Sequence, residues 1–357
     1  MAAKSARSGP AQAAAERPSG SSEPLSEAYD VALLDLDGVV YLGGAPIPGA
    51  ARALGEATRG GMRLAFVTNN ASRSPAAIAG QLTGMGVPAT AADVVTSAQA
   101  AAHLIADRLP AGAPVLVVGG IGLRIALRDR GLRPVSTAAQ RPAAVVQGYA
   151  PDIGYSLLAE AALAVRAGAW YVASNADATL PTPRGPQPGN GALVQVIVTA
   201  TGQQPVIAGK PEPPLHAEAV ARTGARRPLV VGDRLNTDIE GAVRGGADSL
   251  LVLTGVTGPA DVVLAPPQQR PTYLAPDLAG LLEPHPEVRE ADGQFRCGGW
   301  SARAGAEAGA EVAGELELTG TGAPIDGLRA LCAAAWSVTG LTAQTVAPAV
   351  GKLRLGS

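Results

Sequence analysis

Two aspartates, Asp35 and Asp37, stand one residue apart directly behind the apolar run Val31–Leu34, in "VALLDLDGVVYLGG". Comparable polar clusters follow later apolar runs. Thr68, Asn69 and Asn70 close "LAFVTNN", Lys210 sits in "VIAGKPEP", and Asp233 follows "PLVVG", with Asp238 five residues on in "GDRLNTDI". Gathered together, Asp35, Asp37 and Asp233 would concentrate negative charge, which calls for a cation or for raised pKa values. Oxygen-only donors suit Mg2+, which keeps waters and phosphate oxygens in its shell. Lys210 and the hydroxyl and amide groups of Thr68 and Asn69 can donate to a phosphoryl group. One carboxylate can attack phosphorus to form an acyl phosphate, and a second can protonate the leaving alkoxide.

Each cluster alone has an ordinary reading. Asp-x-Asp is commonly a turn or a helix cap, and Thr-Asn-Asn a helix-start signal. A lone lysine is usually a solvated charge, and Asp238 could merely favour the start of its helix. An EF-hand is excluded, because Val39, Val40 and Pro46 occupy positions that need a ligand, a glycine and a glutamate. Asp35 and Asp37 are also too close in sequence for a glycosidase pair. The functional reading rests on the ordered conjunction of all four clusters, each at a strand end.

The elements that must position them read as alternating strand and helix. Val31–Leu34, Leu64–Val67, Pro114–Gly120, Ala143–Tyr149, Trp170–Ser174, Pro228–Asp233 and Ser249–Gly255 are short continuous apolar runs, as in strands buried on both faces of a parallel sheet. Helices are expected over 49–59, from Ser74-Pro75 onward, and over 121–130, 155–167 and 192–201. This alternation implies a doubly wound α/β layer, whose ligands bind outside the carboxyl ends of the strands. From about Pro284 the character changes: alternation at Glu315–Leu318 suggests a hairpin, and Ala323–Val338 a helix.

With 357 residues, 47% apolar and 16% charged, most of the chain is globular. A net charge of -2 and scattered arginines argue against a nucleic-acid partner. No apolar run reaches the roughly 18 residues that span a bilayer, so no membrane partner is expected. Two cysteines, Cys297 and Cys332, read as free thiols of a cytoplasmic protein rather than a disulfide scaffold. The first 28 residues, rich in Ala, Ser, Gly and Pro, read as a disordered lead-in. Lysine occurs only at Lys4, Lys210 and Lys352, which makes Lys210 more noticeable.

The ordered set resembles the haloacid dehalogenase-like (HAD) hydrolase superfamily: "DLDGVVY" its first motif, "VTNN" its second, "GKP" its third and "GDRLNTD" its fourth. The resemblance covers about residues 29–282. The middle block resembles the α/β cap of the subclass (IIA) that includes p-nitrophenyl and pyridoxal phosphate phosphatases. The closer resemblance is to actinobacterial glycerol 3-phosphate phosphatases, whose tail is similar to a fragment of an acetyltransferase fold; "CGGW" and "PIDGLRALCAAAW" fit that pattern. The implied architecture is a Rossmann-like HAD core over 29–97 and 189–283, a cap inserted at 98–188, and a small α+β appendage over 284–357. That appendage is expected to serve packing or oligomerisation, since it is too short to bind acetyl-CoA and catalyse alone.

The resemblance also implies roles. Asp35 is the nucleophile, and Asp37 the acid and later the base. Asp35, the Asp37 carbonyl and Asp233 bind Mg2+, with Asp238 supporting its water shell. Thr68 and Asn69, with Asn70, hold the phosphoryl group, and Lys210 offsets charge between it and Asp35. Asn175, Asp177 and Arg184, in the Pro- and Gly-rich loop after Ser174, could reach the crevice from the cap; the alternative for Asn175 and Asp177 is turn chemistry. His103, His216 and His285 show no ligand spacing. The expected activity is hydrolysis of a small phosphorylated metabolite, glycerol 3-phosphate first, with phosphoglycolate, pyridoxal phosphate or a nucleotide as alternatives. A less favoured reading is a non-catalytic phosphate-ligand sensor signalling through the tail. A homo-oligomer through the cap or the C-terminal segment is a further expectation.

Overall fold

Short apolar runs, bounded by polar turns, form the strands that carry the first polar clusters. In the computed structural model, which describes residues 16–180, 182, 184–306 and 313–355, all four residues of Val31–Leu34 are buried. This strand pairs in parallel with Arg63–Thr68, which pairs in turn with Val94–Thr96. Ser74 caps the Pro75–Gly84 helix by accepting the Ala77 N–H at 3.3 Å, with Pro75 in the first turn. Thr96 and Gln99 cap each other reciprocally at the start of the Ser97–Ala106 helix.

The chain divides into two compact units: Tyr29–Pro228, and the N-terminal segment up to Ala28 together with the chain from Leu229 onward. Within the first unit a five-stranded parallel sheet forms the cap, in the order Val206–Ile207, Trp170–Ala173, Ala144–Gln147, Pro114–Val118, Arg133–Val135. Two of the cap's elements lie beyond the expected boundary at 188. The Val206–Ile207 strand pairs with Trp170–Ala173, and Val194 and Ile197 of the Asn190–Thr201 helix share a core with Leu116, Val118, Val145 and Ala173. The insert therefore runs to about Ile207, because an apolar helix face is buried by whichever sheet lies beneath it.

Behind the cap, Glu218 of the Pro213–Thr223 helix is buried between two arginines and a histidine. It accepts from Arg130 at 2.9 Å, from Arg222 at 2.8 Å, and contacts His103 Nδ1. Burial pushes this carboxyl up, but the bonds from His103 and Arg222 and the charge of Arg130 outweigh it and hold it below its ordinary value. His103 is thus accounted for as a structural partner.

In the second unit, Pro228–Gly232, Asp248–Val252 and Tyr273–Ala275 pair in parallel. The C-terminal segment adds a four-stranded antiparallel sheet, Arg289–Ala291, Gln294–Cys297, Trp300–Ala306 and Ala313–Gly320, and the helices Pro324–Trp336 and Ala343–Gly351. This α+β segment is the expected C-terminal addition, and it packs closely on the rest of its unit. Its Leu328, Leu331, Cys332 and Trp336 form one core with Ile239, Leu251, Val262 and Leu274. Trp336 donates its indole N–H to the Val262 carbonyl at 3.2 Å, and Arg329 donates to the Leu274 carbonyl at 2.5 Å. Both thiols are free and buried; burial pushes the Cys297 thiol up to about 12, with the nearby Asp326 adding to it.

The lead-in also differs from expectation. Residues 1–15 lie outside the described residues, but residues 16–28 are structured. Ser21 bridges His285 through paired backbone hydrogen bonds of 2.8 and 2.9 Å, and Leu25, in the short helix Leu25–Ala28, is fully buried. A single leucine within "SSEPLSEA" gives no periodic signal, yet it anchors the segment. Among the described residues, no helix is long and apolar enough to cross a membrane.

His285 sits at this junction, 3% exposed. Its Nε2 donates to the Gly280 carbonyl at 2.8 Å, so Nδ1 accepts from Arg329 at 3.0 Å and the ring is neutral. Burial pushes its pKa down, and the Arg329 guanidinium adds to the shift. Above its ordinary value of about 6.5 neither folded nor unfolded chain protonates it. Below that value the unfolded chain gains a proton that the folded one resists, so stability falls as pH falls. Thermal midpoints from pH 7.5 to 5 should decline more steeply in the parent protein than in His285→Gln; parallel declines would contradict this.

Candidate active site

The Val31–Leu34 strand delivers Asp35 to a buried cation. Lys210 Nζ lies 2.5 Å from Asp35 Oδ1, with side-chain exposures of 4% and 14%, and also donates to the Val67 carbonyl at 3.1 Å. Two acceptors from adjacent strands thus fix the ammonium, and partial exclusion of water strengthens its interaction with the carboxylate. Asp37, two residues on, is exposed, at the mouth of a turn in which Gly38 N–H donates to the Tyr41 carbonyl at 2.7 Å.

Tyr41 is a polar group beside both acids to which the sequence reading assigned no role. Burial pushes its phenol up to about 12, and the charges of Asp35 and Asp37 add to the shift. Its hydroxyl therefore stays protonated, and able to donate, throughout the neutral range. The signal available in the sequence was its place six residues after Asp35, within the same turn.

Asn69 is the junction of the neighbouring cluster. Its Oδ1 accepts the Lys210 N–H at 2.8 Å, and its Nδ2 donates to the Lys210 carbonyl at 3.1 Å and to the Asp177 carboxylate at 3.3 Å. Its own carbonyl accepts from Asn175 Nδ2 at 2.8 Å and Ser97 Oγ at 2.6 Å. The amide side chain is thus committed to holding Lys210. Gly209 is required here, because a Cβ would lie 2.4 Å from the Ser174 carbonyl oxygen and 2.5 Å from Asn69 Oδ1.

The other expected ligands divide. Thr68 is buried at the strand end, its hydroxyl oxygen accepting the Asn70 N–H at 3.1 Å. Asn70 is exposed and turns its Oδ1 to Ser72 N and Oγ, both at 2.9 Å. Asn175 and Asp177 do reach the cluster, through Asn69, and Asn175 also forms the turn expected of it by accepting the Asp177 N–H at 3.2 Å. Arg184 is exposed, and its N–H bonds Thr182 Oγ1 at 3.3 Å within the same loop.

In the second unit, Asp233 follows the Pro228–Gly232 strand, fully buried, and its Oδ2 accepts the Val256 N–H at 2.8 Å. Asp238 lies on the wide π-helical turn Leu235–Ile239, 1% exposed, its Oδ2 accepting the Arg234 N–H at 3.2 Å. Carboxylate oxygens of the two lie within 4.8 Å of each other. Two desolvated carboxylates so close repel unless a proton or a cation joins them. Oxygen donors on a rigid turn are the donor set a hard divalent ion takes.

Parallel sheets with a carboxylate–lysine pair at one strand end, a Thr-Asn turn at the next and an acid pair at a third define a phosphoryl-transfer class of α/β hydrolase. The chain belongs to the haloacid dehalogenase-like hydrolases: that family's model matches residues 32–133, and a second HAD-hydrolase-like model matches 207–281. A GCN5-related N-acetyltransferase-like domain model matches residues 297–353. The chain is 53% identical, over 257 residues, to the D-glycerol 3-phosphate phosphatase of Mycobacterium tuberculosis, covering 72% of each chain. It is 38% identical to an acid sugar phosphatase of Staphylococcus saprophyticus, over 71% of this chain and 97% of that one. A crystal structure of the M. tuberculosis glycerol phosphate phosphatase in complex with magnesium superposes with a TM-score of 0.83 at 43% identity, covering 94% of this chain and all of the other.

Proposed function

We propose that the protein is a Mg2+-dependent phosphomonoesterase acting on a small phosphorylated metabolite, glycerol 3-phosphate in the first place, through an aspartyl-phosphate intermediate. The observation that carries this reading is the buried Asp35–Lys210 pair with a second acid, Asp37, two residues beyond it. Similarity to glycerol phosphate and acid sugar phosphatases supports the substrate class.

In this mechanism Asp35 attacks phosphorus with a carboxylate oxygen while Asp37 gives its proton to the departing ester oxygen, which leaves as an alcohol. Asp37, now ionised, takes a proton from water. That water attacks the acyl phosphate, and inorganic phosphate and free Asp35 are released. Lys210, the Thr68 hydroxyl and the backbone N–H of Asn69 hold the phosphoryl oxygens, and the Asn70 N–H steadies that hydroxyl. Asn69, through Asn175 and Asp177, keeps Lys210 in register. Asp35, the Asp37 carbonyl, Asp233 and Asp238 would hold Mg2+, which supplies charge neutralisation at the phosphoryl group when bound.

We further propose a cytoplasmic enzyme without nucleic-acid or membrane partners. Its near-neutral net charge and two buried free thiols support this. A homo-oligomer through the cap or the C-terminal segment belongs to the same proposal.

The test is phosphate release with Mg2+ from glycerol 3-phosphate, phosphoglycolate, pyridoxal phosphate and nucleotides, compared as kcat/KM. Glycerol 3-phosphate should rank first, and chelation with EDTA should lower its turnover by about two orders of magnitude or more. Turnover that survives EDTA removes the metal from the mechanism. A leading substrate other than glycerol 3-phosphate reassigns the substrate. Saturable binding without phosphate release would favour the sensor.

A further inference from the structure

A cleft of about 530 Å3 opens in the cap beside the turn that follows Asn70, at the carboxyl ends of the Pro114–Val118 and Ala144–Gln147 strands. Ser72, Ile121, Arg124, Asp152, Ile153 and Leu157 line it. Its position is set by close backbone docking. Gly122 N–H donates to the Ser72 carbonyl at 3.3 Å, and a Cβ on Gly122 would lie 2.5 Å from the Ala71 carbonyl oxygen. Any side chain there would push the cap off this turn. Ser72 in turn holds Asn70 through N–H and hydroxyl, so the cleft adjoins the turn that carries Thr68 and Asn69.

Two of the lining side chains stand apart: among the described residues, neither the Arg124 nor the Asp152 side chain makes a hydrogen bond or ion pair. Arg124 offers only donors, and an ionised Asp152 only acceptors. A hydroxyl both donates and accepts, so neighbouring hydroxyls on one ligand can satisfy the two side chains together. A ligand carboxylate would meet the Asp152 charge, and a plain aromatic ring would leave both polar ends unmatched. Ile121, left 56% exposed, supplies with Ile153 and Leu157 an apolar wall for a carbon chain. A cleft of this size with few polar groups and apolar walls is typical of small-molecule sites.

We propose that this cleft is the leaving-group subsite and that Arg124 and Asp152 are its specificity residues, reading adjacent hydroxyls of a phosphorylated polyol or sugar. The inference rests on the phosphatase reading and names which part of the ester the cap recognises. Arg124→Ala and Asp152→Ala are compared with the parent on glycerol 3-phosphate, phosphoglycolate and p-nitrophenyl phosphate, whose leaving group carries no further hydroxyl.

The ratio of kcat/KM for glycerol 3-phosphate to that for p-nitrophenyl phosphate should fall about tenfold in each variant, as expected for losing a hydrogen bond to a charged group. The loss should appear mainly in KM, with unchanged thermal midpoints. Ratios within twofold of the parent in both variants would overturn the subsite. So would a greater loss on phosphoglycolate than on glycerol 3-phosphate, which would make Arg124 a carboxylate reader.

Titration of glycerol 3-phosphate into Asp35→Asn protein, with and without Arg124→Ala, separates the two ideas. If the parent hydrolyses no ester but Arg124→Ala raises Kd about tenfold, the phosphatase reading fails, and with it the leaving-group role, while recognition of the ligand's hydroxyls by the cleft stands. If the parent hydrolyses the panel while the ratio and Kd ignore Arg124, the subsite alone fails.

Discussion

Asp35→Asn protein should fold, bind substrate and release no phosphate: turnover should fall on the order of 10^4-fold or more, the scale seen when a nucleophile is removed elsewhere. An amide oxygen cannot form the acyl phosphate, so the loss falls on the chemical step. The fold should survive because the Asn Oδ1 can still accept from Lys210 Nζ, which keeps its second bond to the Val67 carbonyl. The replaced group occupies nearly the same volume at a site 14% exposed. Phosphate release and circular dichroism on the same preparation check this. Activity within tenfold of the parent would move the nucleophile elsewhere and undo the mechanism.

Truncation at Pro284 should cost the protein its fold, not merely a regulatory segment. The Pro324–Trp336 helix is buried from Gly327 to Trp336, and with the antiparallel sheet it covers Leu251, Val262, Val263 and Leu274. Exposing one such side chain costs about 1.5–3 kcal/mol. A few of them rival the entire stability of a typical domain, about 5–15 kcal/mol. The truncated chain should be insoluble or lack a cooperative thermal transition. Arg329→Ala gives a graded version. It removes a buried guanidinium that bonds Asp326 at 2.6 Å, Leu274 and His285, at an expected cost of about 3–5 kcal/mol. A truncated protein with the parent's thermal midpoint would refute the shared core.

What the sequence discloses here is local. The Val31–Leu34, Pro114–Val118 and Pro228–Gly232 strands are legible because an uninterrupted apolar run ending in Asp or Gly has few other uses. Ser74-Pro75 marks its helix for the same reason. Which body buries an element is not local. The Asn190–Thr201 helix looks equally apolar whether the core or the cap lies beneath it, so the boundary expected at 188 falls short of Ile207. The tail held an unused clue: "ALCAAAW" is apolar all round, and such a helix must be covered on every side.

At the site, the residue types of Asp35 and Lys210 announced their pairing. The work of Asn69 did not show, because its partners lie 28 to 141 positions away.

That asparagine ties together both ends of the insert and a loop inside it: Ser97 at the start, Asn175 and Asp177 in the loop after the Trp170–Ala173 strand, and Gly209 just past the end. Chimaeras that borrow a foreign cap to change substrate are therefore governed by their splice points. A donor segment lacking the serine at its first seam, the asparagine and aspartate of that inner loop, or the glycine at its second seam would loosen the ammonium beside Asp35 however well its own sheet folds. Grafts cut outside those four handles should inherit a working catalytic floor along with their new selectivity.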